Sequence, residues 1–170
     1  MQENIIFLDI DGVLNGEEQF EMPPRFSKEA IFVLKQIITK YQAKIVITSS
    51  WQRSDGSNRN KIKSMFQSVG IEVLDFIHPS LKGSYLNKEL SNRSCGILDY
   101  LLHHPCYYLI LDDEYQKEYE FLKLHYYQTP TLKGLTKKDL PHLYFKALND
   151  QQLIPFSYEE KNKCYKKRKI

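Results

Sequence analysis

The sequence predicts a doubly wound three-layer α/β sandwich on a central, mostly parallel sheet. Three observations predict it. Short β-branched apolar runs at 4–8, 43–48 and 106–111 have the near-continuous hydrophobicity of strands buried on both faces. Segments with apolar residues at helical spacing alternate with them, as right-handed βαβ crossovers require. Three of the runs lead into residues that carry chemistry: Asp9-Ile-Asp11, Thr48-Ser49-Ser50 and Asp112-Asp113. In an open parallel sheet, strand ends of this kind share the carboxyl edge, where ligands bind.

Taken in order, Asn4 to Asp9 is the first strand, and Gly12 and Asn15 mark the turn after it. Residues 16–26 read as a loop, because Pro23-Pro24 stops a helix. Ser27 is a good N-cap for the next helix, with Glu29 in its first turn. Ile31, Leu34, Ile37 and Ile38, with Tyr41, form its apolar face. Residues 43–48 are the second strand. Residues 58–69 form a helix striped by Met65, Phe66 and Val69, with Gly70 as its C-cap. A shorter strand over 71–77 and a loop over 78–92 follow, the loop punctuated by Pro79 and Gly83. Residues 93–103 read as a helix with Ile97, Leu98, Leu101 and Leu102 facing inward, stopped by Pro105. His103 and His104 at its end read as complements to the helix dipole rather than metal ligands. The fourth strand, 106–111, ends in Asp112-Asp113. A charged helix over 114–124, a short strand over 125–129 and a final helix from Thr136 to about Asn149 complete the alternation.

Composition bounds the function. The chain has 170 residues, 42% of them hydrophobic and 26% charged, which suits one globular domain. No apolar run approaches a membrane span, and Met-Gln-Glu-Asn has no basic n-region, so a cytoplasmic protein without a signal peptide is expected. The three cysteines are widely spaced, with no CxxC pair, and read as plain thiols. The formal charge of +3 is unevenly spread. Residues 151–170 hold six basic and two acidic side chains, so the body, 1–150, carries 18 − 19 = −1. The organisation is therefore a folded domain over 1–150 and a basic tail over 151–170. The tail is either a solvated terminus or an electrostatic tether for an anionic partner.

Four carboxylates gathered at one edge repel one another in a low dielectric. A divalent cation relieves this most simply, and hard carboxylate oxygens suit Mg²⁺. Asp residues do begin turns after strands, but two acidic pairs and a hydroxyl cluster at three strand ends exceed turn chemistry.

The segment Phe7-Leu-Asp9-Ile-Asp11-Gly12-Val13-Leu14-Asn15 resembles the first signature of the haloacid dehalogenase (HAD) superfamily, of the phosphatase type. Ile45-Val-Ile-Thr48-Ser49 is similar to its second signature, and Leu109-Ile-Leu-Asp112-Asp113 to its fourth. Thr48-Ser-Ser-Trp51, Arg93-Ser-Cys-Gly-Ile97 and Gly134-Leu-Thr136 resemble a small-capped subfamily that includes HAD domains attached to RNA-repair proteins.

The resemblance implies a Mg²⁺-dependent phosphomonoesterase with an aspartyl-phosphate intermediate. Asp9 is then the nucleophile, and Asp11 the general acid and base. The metal is held by the Asp9 carboxylate, the Asp11 carbonyl and the Asp112-Asp113 pair, with Asp113 the direct ligand and Asp112 its support. Ser49 or Thr48 donates to a phosphoryl oxygen. Arg93 supplies the basic residue, ahead of Lys88 and Lys82. Gly12 gives close backbone approach to the phosphate, and Ser50, Arg53 and Lys88 are substrate contacts. Two departures stand out. Lys117 occupies a position that is often acidic, for which Glu114 or Glu118 is a substitute, and Gln52 is inserted between Trp51 and Arg53. Residues 16–26 are short for a cap, which predicts an open site that admits large substrates such as polynucleotide ends or phosphoproteins; nucleic-acid ends or nucleotides are the leading substrates within the phosphatase reading. The competing readings are a small-molecule or protein phosphatase, and a catalytically silent HAD-fold binding module. A phospho-receiver fits less well, since its adjacent acidic pair follows the first strand.

Overall fold

A computed structural model describes residues 2–16, 25–78, 90–114, 117–130 and 132–148. Five strands run parallel: β1 (Asn4–Leu8), β2 (Lys44–Ile47), β3 (Val73–Phe76), β4 (Tyr107–Asp112) and β5 (Tyr126–Gln128), in the order β3-β2-β1-β4-β5. The helices are α1 (Lys28–Tyr41), α2 (Arg59–Ser68), α3 (Asn92–His103) and α4 (Lys117–Phe121).

Side-chain alternation along the strands sorts the core into two layers. Ile6, Leu8, Ile45, Ile47, Leu109 and Leu111 face one way and pack with Ala30, Val33, Leu34 and Ile37 of α1 and Ile62 and Phe66 of α2. Ile5, Phe7, Val46, Tyr108 and Ile110 face the other way and meet Ile97, Leu98 and Leu101 of α3 and Tyr119 of α4. Both faces of the sheet are thus covered, and the expected three-layer sandwich is present. Ser27 caps α1 as the sequence predicts, its side chain accepting from the Ala30 N–H. His103 and His104 each bond, through Nδ1, the carbonyl one turn back in α3.

One element differs. The helix expected from Thr136 to about Asn149 is a 3₁₀ turn over Lys137–His142, followed by β6 (Lys146–Ala147). Pro141 lies inside that turn, and without an N–H it cannot continue an α-helical ladder. The Asp139 carboxylate also ties the turn down, accepting from the Thr136 N–H at 2.7 Å and from the Tyr127 hydroxyl at 2.6 Å. The chain then returns as β6, antiparallel to the start of β4. The charged helix is also shorter than 114–124: it ends at Phe121, ahead of Lys123, whose backbone is left-handed at φ 51°.

No helix among the described residues is long and apolar enough to cross a membrane. The greater part of the short cap segment (17–24), Lys82, Lys88 and the whole basic tail lie outside the described residues.

Candidate active site

The strand order reverses between β1 and β4, and that switch point opens a crevice at the carboxyl edge. Asp9 follows β1 and Asp112 ends β4. Backbone bonds carry the sheet into the site: the Asp9 N–H donates to the Leu111 carbonyl at 3.0 Å, and the Thr48 N–H to the Leu8 carbonyl at 2.9 Å. Carboxylate oxygens of Asp9, Asp112 and Asp113 come within 4.8 Å of one another.

Arg93 reaches this cluster from the first turn of α3. Its Nη1 lies 2.8 Å from Asp9 Oδ2 and 2.8 Å from Asp112 Oδ2, so one nitrogen bridges two buried carboxylates. Asp112 is held through both of its oxygens. Its Oδ2 also accepts from the Tyr119 hydroxyl at 2.9 Å, and its Oδ1 accepts from the Glu114 N–H at 3.1 Å. Asp9 is differently placed. Burial pushes its pKa up to about 7, against the pull of Arg93 and with the help of the Asp112 charge. Burial, then the charge of Asp112, also raises Asp113.

Gly12 is where the backbone passes Asp113. It has φ +64°, and a Cβ there would lie 2.1 Å from Asp113 Oδ2 and 2.5 Å from Asp113 Cβ. Gly12→Ala therefore strains the turn and displaces Asp113. Left-handed backbone alone costs an L-residue roughly 1–2 kcal/mol. Urea unfolding is expected to show at least that loss, and a stability equal to the parent's would refute the clash.

The Asp11 carboxylate does not join the three-carboxylate cluster. Its Oδ2 accepts from the Trp51 indole N–H, and its Oδ1 from the Asn15 side-chain amide at 3.1 Å. Beyond β2, the Ser49 side chain lies beside Asp9 and favours the charged form of its carboxylate. Thr48 Oγ1 is buried without a hydrogen-bond partner among the described residues. A pocket of about 190 Å³ lies against these groups, lined by Ser49, Ser50, Arg53, His78, Asn92 and Arg93 among others. A larger cleft of about 570 Å³, bordered by Lys35, Lys44 and Glu72, lies at the opposite end of β2. Among the described residues no cluster of three carboxylates lies there, so chemistry rather than size marks the site.

The sequence matches, over residues 5–140, the family described as the HAD domain in Swiss Army Knife RNA repair proteins. The chain belongs to that family. Neither the curated proteins nor the solved structures include a significant match to it.

Within this HAD domain, most of the residues singled out in the sequence fall into two groups. Asp9, Asp112, Asp113, Arg93, Ser49 and Gly12 converge at the switch point. Thr48, Ser50 and Arg53 line the neighbouring pocket. The Arg53 side chain stays exposed, near Asp55, and its backbone has φ 60°, ψ 158°, a region nearly reserved for glycine. The inserted Gln52 turns inward instead, and its Oε1 accepts from Arg59 Nε at 3.2 Å and Nη2 at 3.1 Å. Neither proposed substitute for the acid at Lys117 joins the cluster. Glu118 accepts from the N–H and hydroxyl of Ser91, the N-cap of α3, and so fixes the helix start that presents Arg93. The Glu114 side chain is exposed.

Sequence reasoning missed Tyr119, Asn15, Trp51 and Thr129 as parts of the site. Thr129 donates to the Gly12 carbonyl at 2.8 Å from a position 117 residues away. Asn15 carried a local signal as a turn residue closing on Gly12, whose N–H its Oδ1 accepts at 3.0 Å, and Trp51 carried one as the last residue of the Thr48-to-Trp51 motif.

Proposed function

We propose that this HAD domain is a Mg²⁺-dependent phosphomonoester hydrolase that works through an aspartyl-phosphate on Asp9. The observation that carries the reading is the convergence of Asp9, Asp112 and Asp113 with Arg93 and Ser49 at one switch point. The donor set fits the metal: the three carboxylates offer only hard oxygens, and burial and mutual repulsion disfavour their ionisation at Asp9 and Asp113. Asp9, Asp113 and the Asp11 carbonyl would hold Mg²⁺, with Asp112 bracing Arg93 beside them. When bound, the ion offsets the charge repulsion between carboxylate and phosphate.

In the first half-reaction an Asp9 carboxylate oxygen attacks phosphorus, and the bond to the leaving oxygen breaks. Asp11 gives that oxygen its proton. Arg93 keeps a positive charge against Asp9 throughout, and Ser49 donates to a phosphoryl oxygen. Thr48 Oγ1, buried and unpartnered, gains an acceptor when phosphate enters the pocket. In the second half-reaction Asp11 takes a proton from water, whose oxygen attacks phosphorus. The bond to Asp9 breaks, releasing inorganic phosphate and restoring the carboxylate. The family description favours phosphorylated RNA ends or nucleotides as substrates.

A second reading has its own support. Lys117 is exposed and Glu118 is occupied by Ser91, so no fourth carboxylate completes the metal cluster among the described residues. That favours a silent domain that binds phosphate without turning it over. Phosphate release from p-nitrophenyl phosphate and from 3′- and 5′-phosphorylated oligoribonucleotides, with and without Mg²⁺, separates the two. Release that needs both Mg²⁺ and Asp9 is expected. Phosphate binding without release from any substrate would establish the silent domain.

A further inference from the structure

Asp11 stands two residues beyond Asp9 on a loop, where the backbone alone does not fix a side chain. Two donors from different segments fix it instead. Asn15 is fully buried, and its orientation is set because its Oδ1 accepts the Gly12 N–H at 3.0 Å. Its amide nitrogen therefore faces Asp11 Oδ1, at 3.1 Å. Trp51 holds the other oxygen through its indole N–H. The Trp51 backbone is itself anchored, its N–H donating to Ser49 Oγ at 3.3 Å and its carbonyl accepting from the Asn58 side-chain amide at 3.0 Å. The ring packs against the α1–α2 side of the core.

We propose that Trp51 is the positioning residue of the acid–base step: its indole N–H ties the Asp11 carboxylate to the loop that carries Ser49. This rests on the phosphatase reading. An indole donates one hydrogen bond and accepts none, so Trp51 takes no part in proton transfer. It orients the group that does. The tether also links the acid–base carboxylate to the loop presenting Ser49, so the two approach the substrate as one unit. A misdirected general acid harms most the substrates whose leaving group cannot depart without a proton.

Two measurements test this. Trp51 is the sole tryptophan, so a ¹H–¹⁵N spectrum of the full chain holds one indole N–H peak. Asp11→Asn, which swaps a charged acceptor for a neutral one of the same shape, is expected to move that peak upfield. An unmoved peak overturns the contact. The second measurement compares Trp51→Phe with the parent under single-turnover conditions with Mg²⁺, reading release of the phenol. With phenyl phosphate the rate is expected to fall about tenfold, against under about twofold with p-nitrophenyl phosphate, whose leaving group needs little protonation. Binding of either ester is expected to be unchanged. Equal losses on the two esters, or none, overturn the positioning role while the parent's turnover keeps the phosphatase reading intact. Absence of Asp9-dependent release by the parent overturns both. The spectroscopic arm needs no Trp51 variant, so poor folding of Trp51→Phe leaves the proposal exposed to refutation.

Discussion

Asp9→Asn is expected to abolish phosphate release while leaving the metal-free fold as stable as the parent at neutral pH, or more so. The activity loss follows from the proposed covalent step, since a carboxamide forms no acyl phosphate. A fall of at least about a thousandfold is expected for a group that acts as nucleophile. The stability outcome follows from burial. Asp9 has a folded-state pKa of about 7 against 3.8 when unperturbed. The folded state therefore binds the proton more tightly than the unfolded chain does. Its contribution is full below about pH 3.8 and is lost as pH rises through about 7. In Asn the group is always neutral, so that loss disappears. Thermal unfolding without Mg²⁺ should show the variant gaining on the parent between pH 4 and 8. Adding Mg²⁺ should stabilise the parent and not the variant. A variant that loses ground to the parent as pH rises would contradict this reading of Asp9.

Arg93→Met is expected to do the opposite to the fold. Arg93 Nη1 is shared at 2.8 Å by Asp9 and Asp112, whose side chains are 5% and 0% exposed. Asp9 escapes part of the loss by taking up a proton. Asp112 keeps its bonds from Tyr119 and the Glu114 N–H but loses its counter-charge. Breaking a buried pair on one side costs about 3–5 kcal/mol. For a domain of this size that is on the order of 10 °C in Tm. Turnover should fall with it, because charge on the nucleophile and the phosphate loses its fixed complement. Arg93→Lys is the informative partner variant. A single nitrogen makes both contacts, so an ammonium of sufficient reach recovers most of the stability. Calorimetry of the three proteins at pH 7 checks the order parent, Lys, Met. A Met variant as stable as the parent would show that the bridge contributes nothing net.

These two variants act on one ion pair, and the sequence singled out both of its members, on unequal grounds. Asp9 was marked by its place after a short apolar strand and by its spacing to Asp11. Arg93 was one of three basic candidates, preferred because it opens the helix before the Asp-Asp strand. The structure distinguishes Arg93 by contact, while Lys88 and Lys82 fall outside the described residues. Thr48 and Ser49 were likewise interchangeable in the sequence, because a strand end can turn either hydroxyl toward the edge. The Ser49 side chain lies beside Asp9, and Thr48 Oγ1 lacks a partner among the described residues. The last helix was misread because its start signal at Thr136 and Asp139 is real, while Pro141 and the pairing of β6 with β4 override the continuation.

By itself the sequence determined the layers, the strand-ending carboxylates and the edge on which they meet. Those follow from local rules: apolar periodicity sets the elements, and a doubly wound sheet puts all parallel strand ends together. Only the tertiary structure decided how the side chains pair once they are there. The Trp51–Asp11 bond spans 40 residues and the Thr129–Gly12 bond 117, and neither leaves a periodic trace. Such contacts depend on side-chain direction and on which strands become neighbours. They exist only after the burial of the two apolar faces has brought β1, β2 and β4 side by side.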